Sequence, residues 1–413
     1  MNQVLLIVAT TIAVITGVVS LLTLAIKARS DREARRFGRR RRTLSRRVDT
    51  FLRGETTRIG EALADGVGSR DRAVVEDILL RGIIGREGAD FRKLALAFEE
   101  LGLVALYLKN IERRGWWHRA RAAENLGLVR VRRAQDALMG ALNDESSEVR
   151  FRAARALGQI GDPAAMPTLI LTLNEPERFS AIRMANVLVS VGEEINDPII
   201  DSFEKLNLDA RVVALDVISS VGSVETGPWL RQRLKDSDPN VRSRAARALG
   251  AIGDLFAGPV LMEALKDPEW PVRAVAAKAL ASIRYAPAVP DLCDALRDSE
   301  WWVRSNAAES LRSMGDIGIA ALESMLGDSD AYARHQAVFM LEEAGTLDER
   351  VGDLFDASNR RRERSRTFVD QVIQSGQCGR LSELAGGHAD GEVRTFLAQM
   401  LQEVRPPGVL VSD

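Results

Sequence analysis

The sequence predicts an all-α protein: a solenoid of about ten helical-hairpin repeats of roughly 31 residues, preceded by one N-terminal transmembrane helix. A motif that recurs at this period and an uncharged apolar run near the N-terminus are the two main observations. The chain of 413 residues is too long for one compact core, but a repeat array escapes that limit because each unit buries its apolar face against its neighbours. Aromatic residues make up only 5%, which is typical of tightly packed helices rich in Ala and Leu.

The apolar run occupies residues 4–26 and contains no charged residue. A helix of this length covers a hydrocarbon core of about 30 Å. The segment before the run is uncharged and no small-residue cleavage site precedes Lys27, so we expect an uncleaved anchor instead of a signal peptide. The positive charges follow the run, which places the N-terminus outside and the rest of the chain on the cytoplasmic side of a bacterial inner membrane.

Residues 27–53 form a basic juxtamembrane segment. Residues 1–47 carry a net charge of +9, so the remainder carries −10 against a total of −1. The candidate membrane-surface residues are Arg35, Arg36, Arg39, Arg40, Arg41 and Arg42. The favoured interpretation is a simple retention flank beside the span. The alternative is a helix on anionic lipid, with Leu44, Val48 and Leu52 facing the acyl chains.

The repeats define the rest of the chain. Clear copies read VRFRAARALGQIGD (149–162) and VRSRAARALGAIGD (241–254). Each copy carries a marker arginine at its second position, and most neighbouring markers are 30 or 31 residues apart: Arg119, Arg150, Arg211, Arg242, Arg273, Arg304, Arg334 and Arg394. Units without a marker are expected around Ala181 and Ser365. We therefore predict an irregular helical cap or entry region over 54–115, the solenoid over 116–404, and a flexible tail over 405–413.

Each motif has the pattern of the second helix of a hairpin. Apolar residues from Val149 to Ile160 fall on one helical stripe, with small alanines at its centre that allow neighbouring helices to approach closely. Glycines follow the last apolar residue, where a left-handed cap is needed, and aspartates that can cap the next helix come after them. A second aspartate lies six residues before most markers, which predicts a structural polar ladder from repeat to repeat.

These units resemble the HEAT repeat, particularly the short bacterial kind also found in phycobilisome lyases. The resemblance covers about three quarters of the chain and implies an α-solenoid that binds other proteins. A single span followed by such an array is similar to bacterial membrane HEAT-repeat proteins, which are often associated with envelope glycosyltransferases.

The sequence does not indicate catalysis. Catalytic HEAT-repeat proteins of the deoxyhypusine hydroxylase type need repeated His-Glu pairs for two irons. His118, His335 and His388 form no such pair, and none has a second histidine or a cysteine at metal-ligand spacing. There is no G-x-S-x-G elbow and no glycine-rich phosphate loop. We therefore predict a protein that is not an enzyme and needs no metal or cofactor.

The scarce aromatic residues recur at one position of the repeat, just before the marker arginine. They are Trp116, Trp117, Trp270, Trp301, Trp302 and Tyr332. Equivalent positions line up along a solenoid, and Trp and Tyr are enriched at binding hot spots, so these residues are candidates for partner binding. The alternative is that each ring packs as a wedge between adjacent repeats.

A second candidate is a basic stripe two and five residues after the markers. Its members are Arg152, Arg155, Arg244, Arg247 and Lys278. The stripe would receive an acidic peptide or a phosphate-bearing group, although solvated helix charge is the commoner explanation.

These features favour a non-catalytic, membrane-anchored scaffold that binds and positions a partner protein at the cytoplasmic face of the inner membrane. One alternative is a regulatory subunit of a membrane-associated enzyme, for example an envelope glycosyltransferase. A nucleic-acid-binding module is a third, which the net charge of −10 beyond residue 47 opposes.

Overall fold

The computed structural model describes residues 38–63, 71–176 and 179–404, together with Thr23, Leu24 and Lys27. In these residues the regular secondary structure is entirely helical, which confirms the predicted all-α repeat fold. The chain divides into two compact units, Met1–Ala165 and Met166–Asp413, and this boundary falls inside the predicted solenoid.

The predicted transmembrane helix, residues 4–26, lies outside the described residues apart from Thr23 and Leu24. Within the part of the chain that the structure describes, no helix has both the length and the apolar composition that a membrane span requires. The predicted tail, 405–413, also lies outside the described residues.

The first unit contains eight described helices. They are α1 (38–52), α2 (Ile59–Leu63), α3 (Arg72–Ile83), α4 (Gly88–Glu100), α5 (Leu103–Asn110), α6 (Trp116–Leu128), α7 (Gln135–Ala141) and α8 (Ser147–Ile160). Helices α6 and α8 are the second helices of consecutive repeats and pack side by side.

Helix α1 corrects the interpretation of the basic segment. Of the apolar stripe that was considered for lipid contact, Leu44 and Val48 are almost completely buried within the protein, as is Phe51, whereas Leu52 is only partly buried. Residues 38–52 therefore form a helix whose apolar side chains pack in the core of the first unit. Apolar residues at helical spacing indicate a buried face, but they do not specify whether lipid or protein covers it.

Two of the predicted membrane-surface arginines are engaged by this unit. Arg40 forms an ion pair with Asp71, and Arg41 lies 3.1 Å from Asp77. Arg39 and Arg42 are exposed, whereas Arg35 and Arg36 lie outside the described residues. The pairs fix α1 against α3 and its N-terminal cap residue.

The second unit continues the hairpin pattern. Its helices are α9 (Met166–Leu171), α10 (Ala181–Val189), α11 (Asn196–Ser202), α12 (Leu208–Val221), α13 (Gly227–Arg233), α14 (Pro239–Ile252), α15 (Gly258–Ala264), α16 (Trp270–Ser282), α17 (Val289–Ala295), α18 (Trp301–Ser313), α19 (Asp316–Met325), α20 (Ala331–Glu343), α21 (Thr346–Gly352), α22 (Asn359–Gln374), α23 (Gly379–Gly387) and α24 (Gly391–Val404). The second helices, from α10 to α20, pack in sequence against one another.

Small residues allow these second helices to approach closely, as the alanine stripe predicts. Ala245, Ala246 and Ala248 of α14 are fully buried. A Cβ atom added at Gly250 would lie 2.9 Å from the Cα atom of Ala279 on α16, so the two backbones nearly touch. The core of the unit is therefore a layer of Ala and Leu side chains between neighbouring helices.

The predicted glycine caps are present at two of the three positions. Gly161 and Gly253 end α8 and α14 with φ angles of 67° and 72°, a left-handed conformation that glycine adopts without steric cost. Gly315 also has a positive φ, 71°, but its ψ is −144° and it directly precedes α19 instead of capping α18. The aspartate after the glycine behaves as predicted at two of the three positions. Asp162 and Asp254 accept backbone N–H groups two residues later, whereas Asp316 is already the first residue of α19.

A polar ladder joins several neighbouring repeats, and Arg242 shows how one arginine is used twice. Arg242 donates through Nη1 to the carbonyl oxygens of Asp236 and Ser237, at 2.9 and 3.1 Å, where its own helix begins. The same guanidinium binds the carboxylate of Asp267 in the next repeat through Nε and Nη2, at 2.7 and 2.8 Å. Asp267 thus offers its carboxylate to Arg242 and its own carbonyl oxygen to the next marker, Arg273, at 2.8 Å.

The bidentate pair recurs with nearly the same geometry in two other repeats, between Arg119 and Asp144 and between Arg273 and Asp298. Arg304 departs from the pattern because Arg297 binds Asp328 instead.

The unit near Ser365 was expected to lack a marker arginine. Arg362 nevertheless donates to the carbonyl oxygen of Asp356 at 3.1 Å, the bond that the other markers make six residues upstream. Arg362 is therefore the marker of this repeat. It was missed because its steps to Arg334 and Arg394 depart from the regular period.

Candidate functional site

The aromatic residues predicted to bind a partner stand at the N-terminal ends of second helices. Trp270 is the first residue of α16, Trp301 and Trp302 begin α18, and Tyr332 is the second residue of α20. Because α16, α18 and α20 pack in order as equivalent helices, these four side chains occupy the same end of three consecutive repeats. We refer to Trp270, Trp301, Trp302 and Tyr332 as the aromatic row.

The side chains of the aromatic row are exposed. Their exposed fractions are 39% for Trp270, 51% for Trp301, 56% for Trp302 and 64% for Tyr332. Rings that served as wedges between repeats would be buried, so this alternative does not describe them. Four large rings in solvent on adjacent repeats form an apolar surface of the kind that marks interaction sites on soluble domains.

Neighbouring groups orient the rings. Trp301 and Trp302 meet edge to face, with centroids 4.7 Å apart and planes at 76°. The guanidinium of Arg304 lies 4.7 Å from the ring centroid of Tyr332, because this arginine does not take up the ladder aspartate. Its Nη1 atom still donates to the carbonyl oxygens of Asp298 and Ser299, which holds the guanidinium in place.

Acidic residues border the aromatic row. Glu269 and Glu300 directly precede α16 and α18 and are exposed, and their side chains accept no hydrogen bond from the helix that they precede. Among the described residues, neither carboxylate forms an ion pair. Asp330 stands at the same position before α20, where its side chain accepts the Ala333 N–H at 2.9 Å. Exposed π faces beside unpaired carboxylates are suited to cationic groups, above all the guanidinium of arginine.

Trp116 and Trp117 begin α6 in the first unit and are also about half exposed. Trp117 stacks on His118 with centroids 3.5 Å apart, and both rings line a cleft of about 280 Å³. The cleft floor contains the buried side chains of Tyr107 and Asn125.

Hydrogen-bonded polar side chains form the floor of this cleft. The Tyr107 hydroxyl donates to Glu76 at 3.0 Å, and Arg121 and Asn125 donate to the same carboxylate oxygen. Burial and the nearby charge of Glu76 raise the pKa of Tyr107 well above its usual value, so the phenol stays protonated. Since the protein's own donors fill the Glu76 oxygen, the cluster mainly joins α3, α5 and α6.

The predicted basic stripe is largely neutralised by the protein's own carboxylates. Arg152 forms ion pairs with Glu124 and Glu148. Arg244 and Arg247 both lie 3.5 Å from Asp216. Arg155 and Lys278 are exposed and have no ion-pair partner among the described residues. Three of the five residues are therefore already paired with acidic side chains of the protein.

Sequence analysis missed a second exposed row. Val224, Leu255 and Ile317 lie at the start of first helices or their preceding turns, and each is at least half exposed. Phe256, beside Leu255, is the most exposed large apolar residue described. The repeat period itself could have revealed these residues, since their separations are multiples of 31.

No group of three or more His, Cys, Asp or Glu side chains in the described residues is arranged to hold a metal ion. Cys293 and Cys378 are free and partly buried, and burial raises the pKa of each thiol, which keeps both in the unreactive protonated form.

Several solved structures are similar to this chain. Kap121p is 14% identical, with a TM-score of 0.45, and the match covers 83% of this chain but only 45% of Kap121p. Human deoxyhypusine hydroxylase is 22% identical, with a TM-score of 0.26, over 68% of this chain and 99% of the hydroxylase. The phycocyanin lyase complex of CpcE and CpcF from Nostoc sp. PCC7120 is 23% identical, with a TM-score of 0.28, over 58% of this chain and 94% of that one. No curated protein matches the sequence.

The family model for HEAT repeats matches residues 106–186, 196–268 and 258–342, which together exceed half of the chain. The matched residues contain the marker arginines from Arg119 to Arg334, the left-handed glycine caps and the aspartate ladder. By this match, and by the helical repeats that the structure displays over the same residues, the chain belongs to the HEAT-repeat family.

Proposed function

We propose that this protein is a non-catalytic, membrane-anchored scaffold that holds a partner protein at the cytoplasmic face of the bacterial inner membrane. HEAT-repeat solenoids are typical protein-interaction scaffolds, which supports the general class. The observation that carries the proposal is the aromatic row, four exposed rings on three consecutive repeats. Membrane anchoring rests on the uncharged run of residues 4–26 and the arginines that follow it.

The surroundings of the aromatic row indicate the chemistry of the partner. Glu269 and Glu300 leave unpaired carboxylates beside the rings of Trp270 and Trp301. An arginine side chain at such a place gains both a cation–π contact and a charged hydrogen bond. We therefore expect the aromatic row to bind an extended or helical segment rich in arginine and lysine.

A triple variant, Trp270→Ala, Trp301→Ala and Trp302→Ala, tests the surface. Truncated hot-spot residues typically cost more than about 1 kcal/mol each, so we expect capture of the basic partner to weaken about 100-fold. Helix content and melting temperature should remain near wild type because the rings are exposed. The measurement is the affinity of the full chain for a partner captured from membrane extracts, with circular dichroism on the same samples.

The matched control is Leu255→Ala with Phe256→Ala, which removes exposed apolar side chains from the second row. This variant should capture the partner as wild type does. Loss of capture in the control alone, or unfolding of the triple variant, would overturn the assignment to the aromatic row.

Anchoring is tested separately. A reporter fused after Lys27 should give a cytoplasmic signal, and the full chain should resist extraction of membranes with carbonate. A periplasmic signal would reverse the proposed topology, and release by carbonate would remove the span from the proposal. If the captured partner is an enzyme whose turnover changes in the complex, the protein acts as its regulator and not only as a scaffold.

A further inference from the structure

A groove on the first unit combines an apolar floor with an arginine-rich rim. It lies between α4 and the turn after α6, and its volume is about 510 Å³. Phe91, Ala95 and Leu96 of α4 line its floor. Leu96 is exposed, although its neighbours Leu94 and Ala97 on the opposite face of the helix are buried. The helix therefore presents an apolar strip to the groove that the first unit leaves uncovered.

Four arginines border this strip: Arg92, Arg130, Arg132 and Arg133. Glu99 is the acidic residue in the lining, and it pairs with Arg133 at 2.6 Å. Arg92 and Arg132 are exposed and form no ion pair with any residue that the structure describes. The groove thus carries a net positive charge beside an apolar surface. Guanidinium groups in this setting bind phosphate oxygens through paired, charge-assisted hydrogen bonds.

Arg130 occupies the repeat position that glycine holds elsewhere. Its N–H donates to the carbonyl oxygen of Gly127, and the Val131 N–H donates to that of Leu126, which closes α6 with a left-handed residue. The φ angle of Arg130 is 54°, a costly conformation for a residue with a side chain. Its guanidinium lies 4.9 Å from the ring centroid of Phe91 in the groove.

Arg284 has the same backbone conformation, with φ of 49°, at the equivalent position after α16. It does not line the groove. The strain is therefore a property of the repeat position, and Arg284 provides a matched control for changes at Arg130.

The geometry points to an anionic phospholipid of the bilayer as the ligand of this groove, with its phosphate on the arginines and its acyl chains on Phe91 and Leu96. This inference rests on the proposed anchoring. Residues 27–37, eleven in number, separate the predicted span from α1. At about 3.5 Å per residue they reach at most about 40 Å, so the first unit stays close to the membrane surface. Anionic lipid is thus always available to the groove at high local concentration.

The test uses the full chain with Cys293→Ala, Cys378→Ala and Leu96→Cys, labelled at residue 96 with an environment-sensitive nitrobenzoxadiazole probe. The labelled chain in nonionic detergent micelles is titrated with dioctanoyl phosphatidylglycerol or with the zwitterionic dioctanoyl phosphatidylcholine. We expect the probe emission to rise with phosphatidylglycerol, and high salt to weaken the response. The double change Arg92→Gln and Arg132→Gln should require at least tenfold more phosphatidylglycerol.

Arg130→Gly should also weaken the response, while its melting temperature stays equal to wild type or rises because the strained conformation is relieved. Arg284→Gly should show the same thermal behaviour with an unchanged lipid titration. Equal responses to the two lipids, or an unchanged titration in the double variant, would overturn the proposal. A response saturated by inorganic phosphate alone would assign the groove to free anions and exclude the lipid. None of these readouts requires insertion in a bilayer, so they remain distinct from the carbonate test of anchoring.

Discussion

Arg242 shows how one side chain holds two repeats together. Its guanidinium satisfies two carbonyl oxygens at the start of α14 and one carboxylate at the start of α16. The arginine and Asp267 side chains are only 12% and 10% exposed, so solvent screens this pair much less than an ordinary surface ion pair. Breaking such a pair leaves a largely buried carboxylate without its main partner, which is costly.

We expect Arg242→Ala to lower the free energy of unfolding by about 2–3 kcal/mol, the typical cost of removing charged hydrogen bonds from a buried group. Chemical denaturation of the full chain measures it. Arg247→Ala is the control on the same helix, because Arg247 is exposed and contacts Asp216 only at 3.5 Å. Its effect should stay within about 0.5 kcal/mol. Similar losses in the two variants would show that the ladder adds nothing beyond surface charge.

Other residue-level features could not be predicted from the pattern. Arg304 carries the marker of its repeat, yet Asp328 binds Arg297, and Arg304 instead lies over Tyr332. Which of the two arginines binds the carboxylate depends on their positions in the folded protein, and the repeat motif does not specify those positions. Arg362 shows the converse, since its hydrogen bond to Asp356 identifies a repeat whose spacing is irregular.

At the scale of helices, the second helix of each hairpin is the most predictable element. Its alanine stripe and its glycine cap both depend on local chemistry, and both are present in α8 and α14. The first helices are harder to predict because several begin as a 3₁₀ turn. The turn Ala286–Ala288, for example, precedes α17, which is a helix of only seven residues.

The close approach of α14 and α16 gives a prediction for this interface. Gly250→Ala would place a methyl group 2.9 Å from the Ala279 Cα atom, so the helices must separate, and we expect a loss of about 1–3 kcal/mol in unfolding free energy. Gly140→Ala is the control, because nothing lies within 4 Å of its new methyl group and the site is an exposed helical position. This change should stabilise the protein by up to about 1 kcal/mol. Thermal unfolding of both variants provides the comparison, and a neutral Gly250→Ala would contradict the packing argument.

Helix α1 marks a limit of amphipathic patterns. Leu44 and Val48 fall on one face whether the helix lies on lipid or on protein, and the sequence offered no means of choosing. The decisive contacts, Arg40 with Asp71 and Arg41 with Asp77, join residues more than thirty positions apart.

The aromatic row could be identified from the spacing of its residues alone, but the spacing did not predict that the rings are exposed. The groove beside α4 was missed because its two walls come from segments with no common motif.

At the scale of the whole molecule, the repeated aspartates make the free energy of unfolding depend on pH. Burial raises the pKa of Asp144, Asp267 and Asp298, but hydrogen bonds from the paired arginine and a backbone N–H outweigh it and leave each pKa below its usual value. At Asp328 the hydrogen bond from Arg297 is the largest cause of the same downward shift. A carboxyl group with a lowered pKa in the folded state stabilises the fold when it is ionised.

The contribution of these aspartates should be complete above the unfolded-state pKa of about 3.9 and should be lost as the pH falls through the lower folded-state values. We therefore expect the midpoint of urea unfolding to stay level from neutral pH to about pH 5 and to fall steeply below about pH 4. Asp267→Asn should be less stable at neutral pH and should lose less on acidification. Parallel curves for the variant and the wild type would exclude this aspartate from the acid response.

The aspartate ladder also has a mechanical consequence within the second unit. Every bridge of this kind joins one repeat to its immediate neighbour, so the interfaces act as springs in series. A load applied along the stack is transmitted through each interface in turn, and the small deflections add. Between α18 and α20 the bridge comes from Arg297 instead of the marker arginine, and it still ends on the ladder carboxylate of Asp328. Under tension this connection should depend on the Arg297–Asp328 pair, next to the surface that presents Trp301, Trp302 and Tyr332.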